Sequence, residues 1–216
     1  MTTVKTLEQI EKEYNVRKGK LPFLIDEIRF SLKQELDRKA IKIHQIEHRI
    51  KEFDSFVDKI RRKDIKDDPF SEIHDLVGLR VICLFLQDLQ LIGDIIQNNF
   101  EVFEVDDKVA GPYAEIFGYM DVQYKAKLKK AVTVSGYEEI NNYPFEIQVR
   151  TIAQDAWANI SHYLDYKQKS AFSPSLKRDF YALSGLFYVA DTHFTILRSE
   201  QLKFLTEGSP SKNDIS

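Results

Sequence analysis

The sequence predicts one α+β domain, because five short strand-like runs alternate with helical stripes and the apolar content suffices for a single core. Of the 216 residues, 43% are hydrophobic and 12% aromatic, which suits one domain of this length better than two. The strand-like runs are rich in β-branched and aromatic residues, whereas the segments between them carry apolar residues at helical spacing.

In chain order, Pro22 opens an amphipathic helix to about Lys39, with Ile28, Leu32, Leu36 and Ala40 on one stripe. Ile41 to Lys51 alternates as a short strand, after which Phe53, Phe56, Val57 and Ile60 restore helical spacing up to Arg61, Arg62 and Lys63. Leu79 to Leu86 is an apolar strand, followed by a helix near Leu89 to Asn98 and a strand from Phe100 to Val105. Gly111-Pro112 marks a loop ahead of a long strand from Phe117 to Lys129. After a turn at Ser135-Gly136, Phe145 to Val149 is the last strand. Ile152 to Tyr166 sets Ile152, Ala156, Ile160 and Leu164 on one helical stripe, and Pro174 opens a final helix to about Lys203. Residues 1–20 read as an N-terminal extension, 21–205 as the domain and 206–216 as a polar tail.

Lys and Arg total 31 against 34 Asp and Glu, and the net charge of -3 excludes a bulk field that would hold a polyanion. A nucleotide must therefore be held by a local basic cluster. The opening MTTVKTLEQIEKEY has no signal-like apolar core and no run approaches a membrane span, so the expected protein is soluble and cytoplasmic, without a membrane partner. Cys83, in the run VICLFL, is the single cysteine and reads as a packed strand residue.

Arg49 and Lys51 are two apart and share a strand face, while Ser55 and Lys59 are four apart and share a helix face. Three cations and a hydroxyl so arranged suit one triphosphate, although spacing alone fits a solvated charged face equally well. Asp75 precedes one apolar strand and Glu146 lies within another. Acids in such places either pair with a nearby cation, such as Arg80 or Arg150, or help to bind a hard metal ion. Gln148 and Arg150 alternate with Ile147 and Val149, which puts both on the face of Glu146.

Four segments, HRIKEFDSFVDK, HDLVGLRVICLF, GYMDVQYKAKL and FEIQVRTIAQDAWANISHYLDYK, fall in one order along the chain. From about Leu21 to Arg198 the sequence resembles the synthetase domain of the RelA/SpoT family, in its small alarmone synthetase branch. The resemblance implies a nucleotidyltransferase-like fold: a mixed, mostly antiparallel sheet of about five strands flanked by helices. It implies a GTP/GDP pyrophosphokinase-like enzyme that moves pyrophosphate from ATP to the 3'-hydroxyl of a guanosine nucleotide, giving a (p)ppGpp-type alarmone and AMP. Arg49, Lys51, Ser55 and Lys59 match R-x-K-x-x-x-S-x-x-x-K, which holds the ATP phosphates, and Arg80 is counted with them. Asp75 matches the Mg2+ ligand and Glu146 the second acidic residue, so both are expected to be catalytic and metal-binding. Tyr119 matches the aromatic that stacks on the acceptor base, and Gln148, Arg150, Asp155 and His162 complete the expected acceptor side. Trp157 reads as core.

The sequence departs from the family after Gly118-Tyr119, where a Ser and a His usually follow and Met120, Asp121, Val122 and Gln123 stand instead. The preceding loop offers only Lys108 beside Asp106, Asp107 and Glu115. Three readings stay open: free GDP or GTP as acceptor, the 3' end of tRNA as in toxic family members, or an inactive nucleotide-binding module. Arg17, Lys18, Lys20, Arg38, Lys39 and Lys42 would support the second. A homo-oligomer or an antitoxin partner is compatible with the resemblance.

Overall fold

The computed structural model describes residues 5–108, 121–129, 132–168 and 173–207. Helix α1 (Leu7–Lys18) begins at Thr6, whose hydroxyl accepts from the Gln9 amide while the Gln9 side chain accepts from the Thr6 amide. It lies within the segment read as an extension, yet Ile10 and Tyr14, one turn apart, are buried in the core. The Tyr14 hydroxyl donates to the Lys51 carbonyl at 2.9 Å, so α1 braces the chain beside the predicted phosphate clamp.

Helix α2 (Leu21–Arg38) buries Leu21, Leu24, Ile25, Ile28, Leu32 and Leu36, the three- and four-residue steps of one apolar face. Ala40, expected as the last member of that stripe, stands outside the helix at φ 52°, where the chain reverses into strand β1 (Ile43–Ile50). Helix α3 (Phe53–Lys63) follows and is anchored by buried Phe56 and Val57; a short turn of helix, α4 (Pro69–Glu72), precedes strand β2 (Val77–Cys83). Helix α5 (Leu86–Asn99) and strands β3 (Phe100–Asp107), β4 (Val122–Leu128) and β5 (Phe145–Thr151) complete the sheet. The predicted start of β4 at Phe117 lies outside the described residues. A 3-10 turn at Glu138–Asn142 was not foreseen.

Sheet order is β1-β2-β5-β4-β3, with β2 and β5 parallel and every other pair antiparallel, which is the mixed, mostly antiparallel five-stranded sheet expected. Leu84, Phe85 and Leu86 were read as strand but lie beyond it. Cys83 is in register with Thr151, the last residue of β5, so the ladder has no partner left to offer them, and α5 starts at once. On one face of the sheet Val77, Leu79, Val81, Tyr124, Ala126, Phe145, Ile147 and Val149 are buried in the core to which α2 and α5 contribute. Period-two alternation then places polar residues on the opposite face.

Helix α6 (Ile152–Gln168) leaves the end of β5, and α7 (Pro174–Glu207) packs back on α6 and α5. Trp157 is buried against Phe180 and Phe187. Thr206 and Glu207, assigned to the tail from sequence, are still helical. Among the described residues no helix is long and apolar enough to cross a membrane.

Asp191 of α7 is buried, accepts from the Thr151 hydroxyl at 2.6 Å through one oxygen and leaves the other without a hydrogen bond. Burial raises its pKa above the usual carboxylate value, with the Thr151 bond pulling the other way. A raised acid favours the folded state while protonated, so its contribution is complete below the unfolded pKa and is lost as pH rises through the folded value. Asp191→Asn is therefore expected to flatten part of the pH dependence of Tm. The variant should gain on the wild type as pH rises above the unfolded carboxylate range, and parallel curves would contradict the assignment.

Candidate active site

Two rows of side chains cross the polar face of the sheet. The first joins Arg49 of β1, Gly78 of β2, Glu146 of β5 and Lys125 of β4 by register; the second joins Glu47, Arg80, Gln148 and Gln123. The Arg49 side chain lies over β2 at Gly78, where a Cβ would meet it at 3.6 Å, an ordinary van der Waals contact. A concavity of about 120 Å³ between Glu47, Arg49, Gly78, Arg80, Glu146 and Gln148 marks the spot. A larger one, about 740 Å³, lies between α2 and β1 and is lined by Asp26, Arg29, Lys33, Asp37 and Lys42, but none of the motif residues Arg49, Lys51, Lys59, Asp75 or Glu146 borders it. The chemistry, not the volume, locates the site.

At one end of this face, Asp75 receives Lys59 at 2.7 Å and Lys51 at 3.2 Å on the same oxygen, and its other oxygen is buried without a hydrogen-bond partner. Burial pulls the Asp75 pKa upward, but the Lys59 hydrogen bond and the Lys51 charge outweigh it and hold the group below its ordinary value. Ser55 is exposed on the first turn of α3, one turn before Lys59. Arg49 makes no ion pair among the described residues. Two cations thus share one carboxylate, and Arg49 stands in the neighbouring row with Glu146, a supply of positive charge suited to a polyphosphate.

At the other end, the Gln148 amide donates to Glu146 at 2.8 Å, and Arg150 donates to Gln148 at 2.7 Å and to Asp121 at 3.2 Å. Asp155 receives Arg80 at 3.2 Å and Arg150 at 3.6 Å, and Arg80 also reaches Glu47 at 3.1 Å. The sequence-level alternative that Asp75 or Glu146 pairs with Arg80 or Arg150 is not what is found: Lys51 and Lys59 take the first, Gln148 the second. Arg80, expected on ATP, is held by Glu47 and Asp155. His162 is exposed on α6, two turns beyond Asp155, and Tyr119 lies outside the described residues.

Sequence reasoning missed Asp121 as a hub. Its signal was available in the alternation of Asp121 and Gln123 along β4, which predicts that they share a face. It also missed Glu47, whose spacing of two from Arg49 carries the same information. The basic residues put forward for tRNA are largely compensated: Arg17 pairs with Glu13, Lys18 with Glu52, Lys20 with Glu139 and Arg38 with Glu35.

Among the described residues no group of three or more His, Cys, Asp or Glu could hold a metal ion. The unpartnered, buried oxygen of Asp75 nonetheless fits a hard divalent cation that draws its other ligands from water and substrate phosphates, the usual habit of magnesium.

A mixed five-stranded sheet with cations and carboxylates converging on its polar face defines an α+β domain built for a charged, phosphate-bearing ligand. The model of the "region found in RelA / SpoT proteins" matches residues 48–171, more than half of the sequence, and the chain belongs to that family. GTP pyrophosphokinase YjbM of Bacillus subtilis is 29% identical over 160 residues, which span 71% of this chain and 73% of that protein. The crystal structure of the small alarmone synthetase 1 from Bacillus subtilis superposes with a TM-score of 0.70 at 22% identity, covering 91% of this chain and 99% of that one. The structure of that synthetase bound to its product pppGpp superposes with a TM-score of 0.69 at 22% identity, covering 89% and 98%. These two share the fold with the present chain.

Proposed function

We propose that this chain is an ATP-dependent pyrophosphotransferase that acts on a guanosine nucleotide, giving a (p)ppGpp-type product and AMP. The observation that carries the reading is the convergence of Lys51 and Lys59 on Asp75 at one end of the sheet face, with Arg49, which makes no ion pair among the described residues, in the neighbouring row of Glu146. Its family membership and its similarity to a GTP pyrophosphokinase support the same reaction.

In this reading Arg49 offers a planar pair of donors to phosphate oxygens, while Lys51 and Lys59 act as point charges already positioned by Asp75. Ser55, on the Lys59 face of α3, adds a hydroxyl donor. The acceptor's 3'-oxygen bonds to the β-phosphorus, the bond from that phosphorus to the α,β-bridging oxygen breaks, and AMP leaves with that oxygen. Glu146, steadied by the Gln148 amide, accepts the proton released by the 3'-hydroxyl. Magnesium held by Asp75 and Glu146 would neutralise charge on the transferring phosphates. Tyr119 supplies the stacking surface for the acceptor base by its place in the family motif.

The test is to supply γ-labelled ATP and magnesium with GDP, GTP or bulk tRNA in turn. Label in a guanosine polyphosphate is the expected result. Label in tRNA alone would replace the acceptor, and label in none of them would leave a nucleotide-binding module.

A further inference from the structure

We infer that Asp121 sets the charge preference of the acceptor subsite, so that each additional phosphate on the receiving nucleotide weakens its use. This rests on the proposed transfer to a guanosine nucleotide and specifies which one the site favours.

Asp121 is 2% exposed and immediately precedes β4. One oxygen accepts from Arg150 at 3.2 Å and from Gln123 at 3.0 Å, and the other lies 3.4 Å from the Lys108 ammonium. Lys108 also stands 3.8 Å from Asp106, and Arg150 stands 3.6 Å from Asp155, which Arg80 shares. Among the described residues each of the cations Arg80, Arg150 and Lys108 therefore faces two carboxylates, drawn from Glu47, Asp106, Asp121 and Asp155. At the Asp75 end the balance is reversed among the described residues: two cations, Lys51 and Lys59, share one acid. One continuous sheet face thus carries a positive end and a compensated, slightly negative end.

The consequence follows from where an acceptor must lie. Its 3'-hydroxyl meets Glu146, and the strand that carries Glu146 runs on through Gln148 to Arg150, about 13 Å further. A phosphate arriving there finds cations whose charge is already used, and repulsion between like charges in a poorly solvated site is strong. Asp121 is the decisive residue because it is the most buried of these acids and, among the described residues, it engages both Arg150 and Lys108.

The experiment compares GMP, GDP and GTP as acceptors, reading kcat/KM from AMP release at fixed ATP and magnesium, and reading affinity for the same three by calorimetry. Wild type should decline in that order. Asp121→Asn keeps the shape and the hydrogen-bond oxygen but removes the charge; it should raise GTP relative to GMP by about tenfold while the KM for ATP stays within about twofold. A general folding defect would move ATP and all three acceptors together. Lys108→Met acts in the opposite sense and should steepen the decline, which keeps the idea testable if Asp121→Asn does not fold. A wild type that favours GTP, or variants whose profiles run parallel to it, would overturn the inference while leaving the pyrophosphotransferase intact. Absence of AMP release with every guanosine nucleotide would sink the proposed activity, and the calorimetric series would still decide the charge preference: falling affinity supports it, and flat, rising or absent binding overturns it.

Discussion

Asp75→Asn should lower AMP release by about a thousandfold or more, the scale set by removing a preorganised charge at a reacting phosphate. The side chain does two jobs through two oxygens. One fixes Lys51 and Lys59 at 3.2 and 2.7 Å, and the other, buried and unpartnered, is the natural donor to a divalent cation. Asparagine keeps the volume but removes the charge, so both lysines lose their partner and the cation loses its anionic ligand. Far-UV circular dichroism should be unchanged. Because the Asp75 pKa is depressed, its pairing contributes stability above the unfolded pKa and loses it as pH falls through the folded value, so the variant should lose less stability in acid than the wild type. Retained turnover in Asp75→Asn would remove Asp75 from the catalytic role.

Glu146→Gln should reduce kcat by about a hundred- to ten-thousandfold, the usual range for a general base, with the KM for ATP little changed. Glu146 lies on β5, across β2 from Arg49, and is buried apart from its approach to the sheet face. Gln148 donates to one of its oxygens and Arg150 steadies Gln148, so the carboxylate is held in one orientation. Glutamine is isosteric and can still meet Gln148, which separates loss of a proton acceptor from loss of packing. A rise in the KM for ATP with kcat preserved would instead assign Glu146 to donor binding.

Most of the fold was legible because its strands and helices obey simple periods. The apolar stripe of α2 and the E-x-Q-x-R run of β5 each predicted the face that the structure buries or leaves polar, whereas β1 forms as a strand without the alternating burial its sequence suggested. Errors gathered where local pattern is ambiguous. The run through Leu84 and Phe85 is apolar enough for strand or helix, and only the length of β5 decides where β2 stops. Helix α1 was missed because just Ile10 and Tyr14 bear on the core, too few for a stripe, and its start is fixed by the Thr6 and Gln9 capping pair. At the site, residues two or four apart were assigned correctly to shared faces. Partners far apart in sequence were not readable: nothing in the spacing tells Asp75 to take Lys51 and Lys59, or Asp121 to take Arg150 and Lys108. Those pairings depend on strand order, with β5 inserted between β2 and β4.

The central claim is that two phosphates move together from ATP to a ribose hydroxyl on this sheet face. Incubating the protein with magnesium, a guanosine nucleotide and ATP labelled at both the α- and γ-phosphates tests it most directly. The account predicts that the α-label appears in AMP and the γ-label in the guanosine product, in equal amounts. Release of ADP, or of γ-label as inorganic phosphate without a labelled guanosine product, would contradict it.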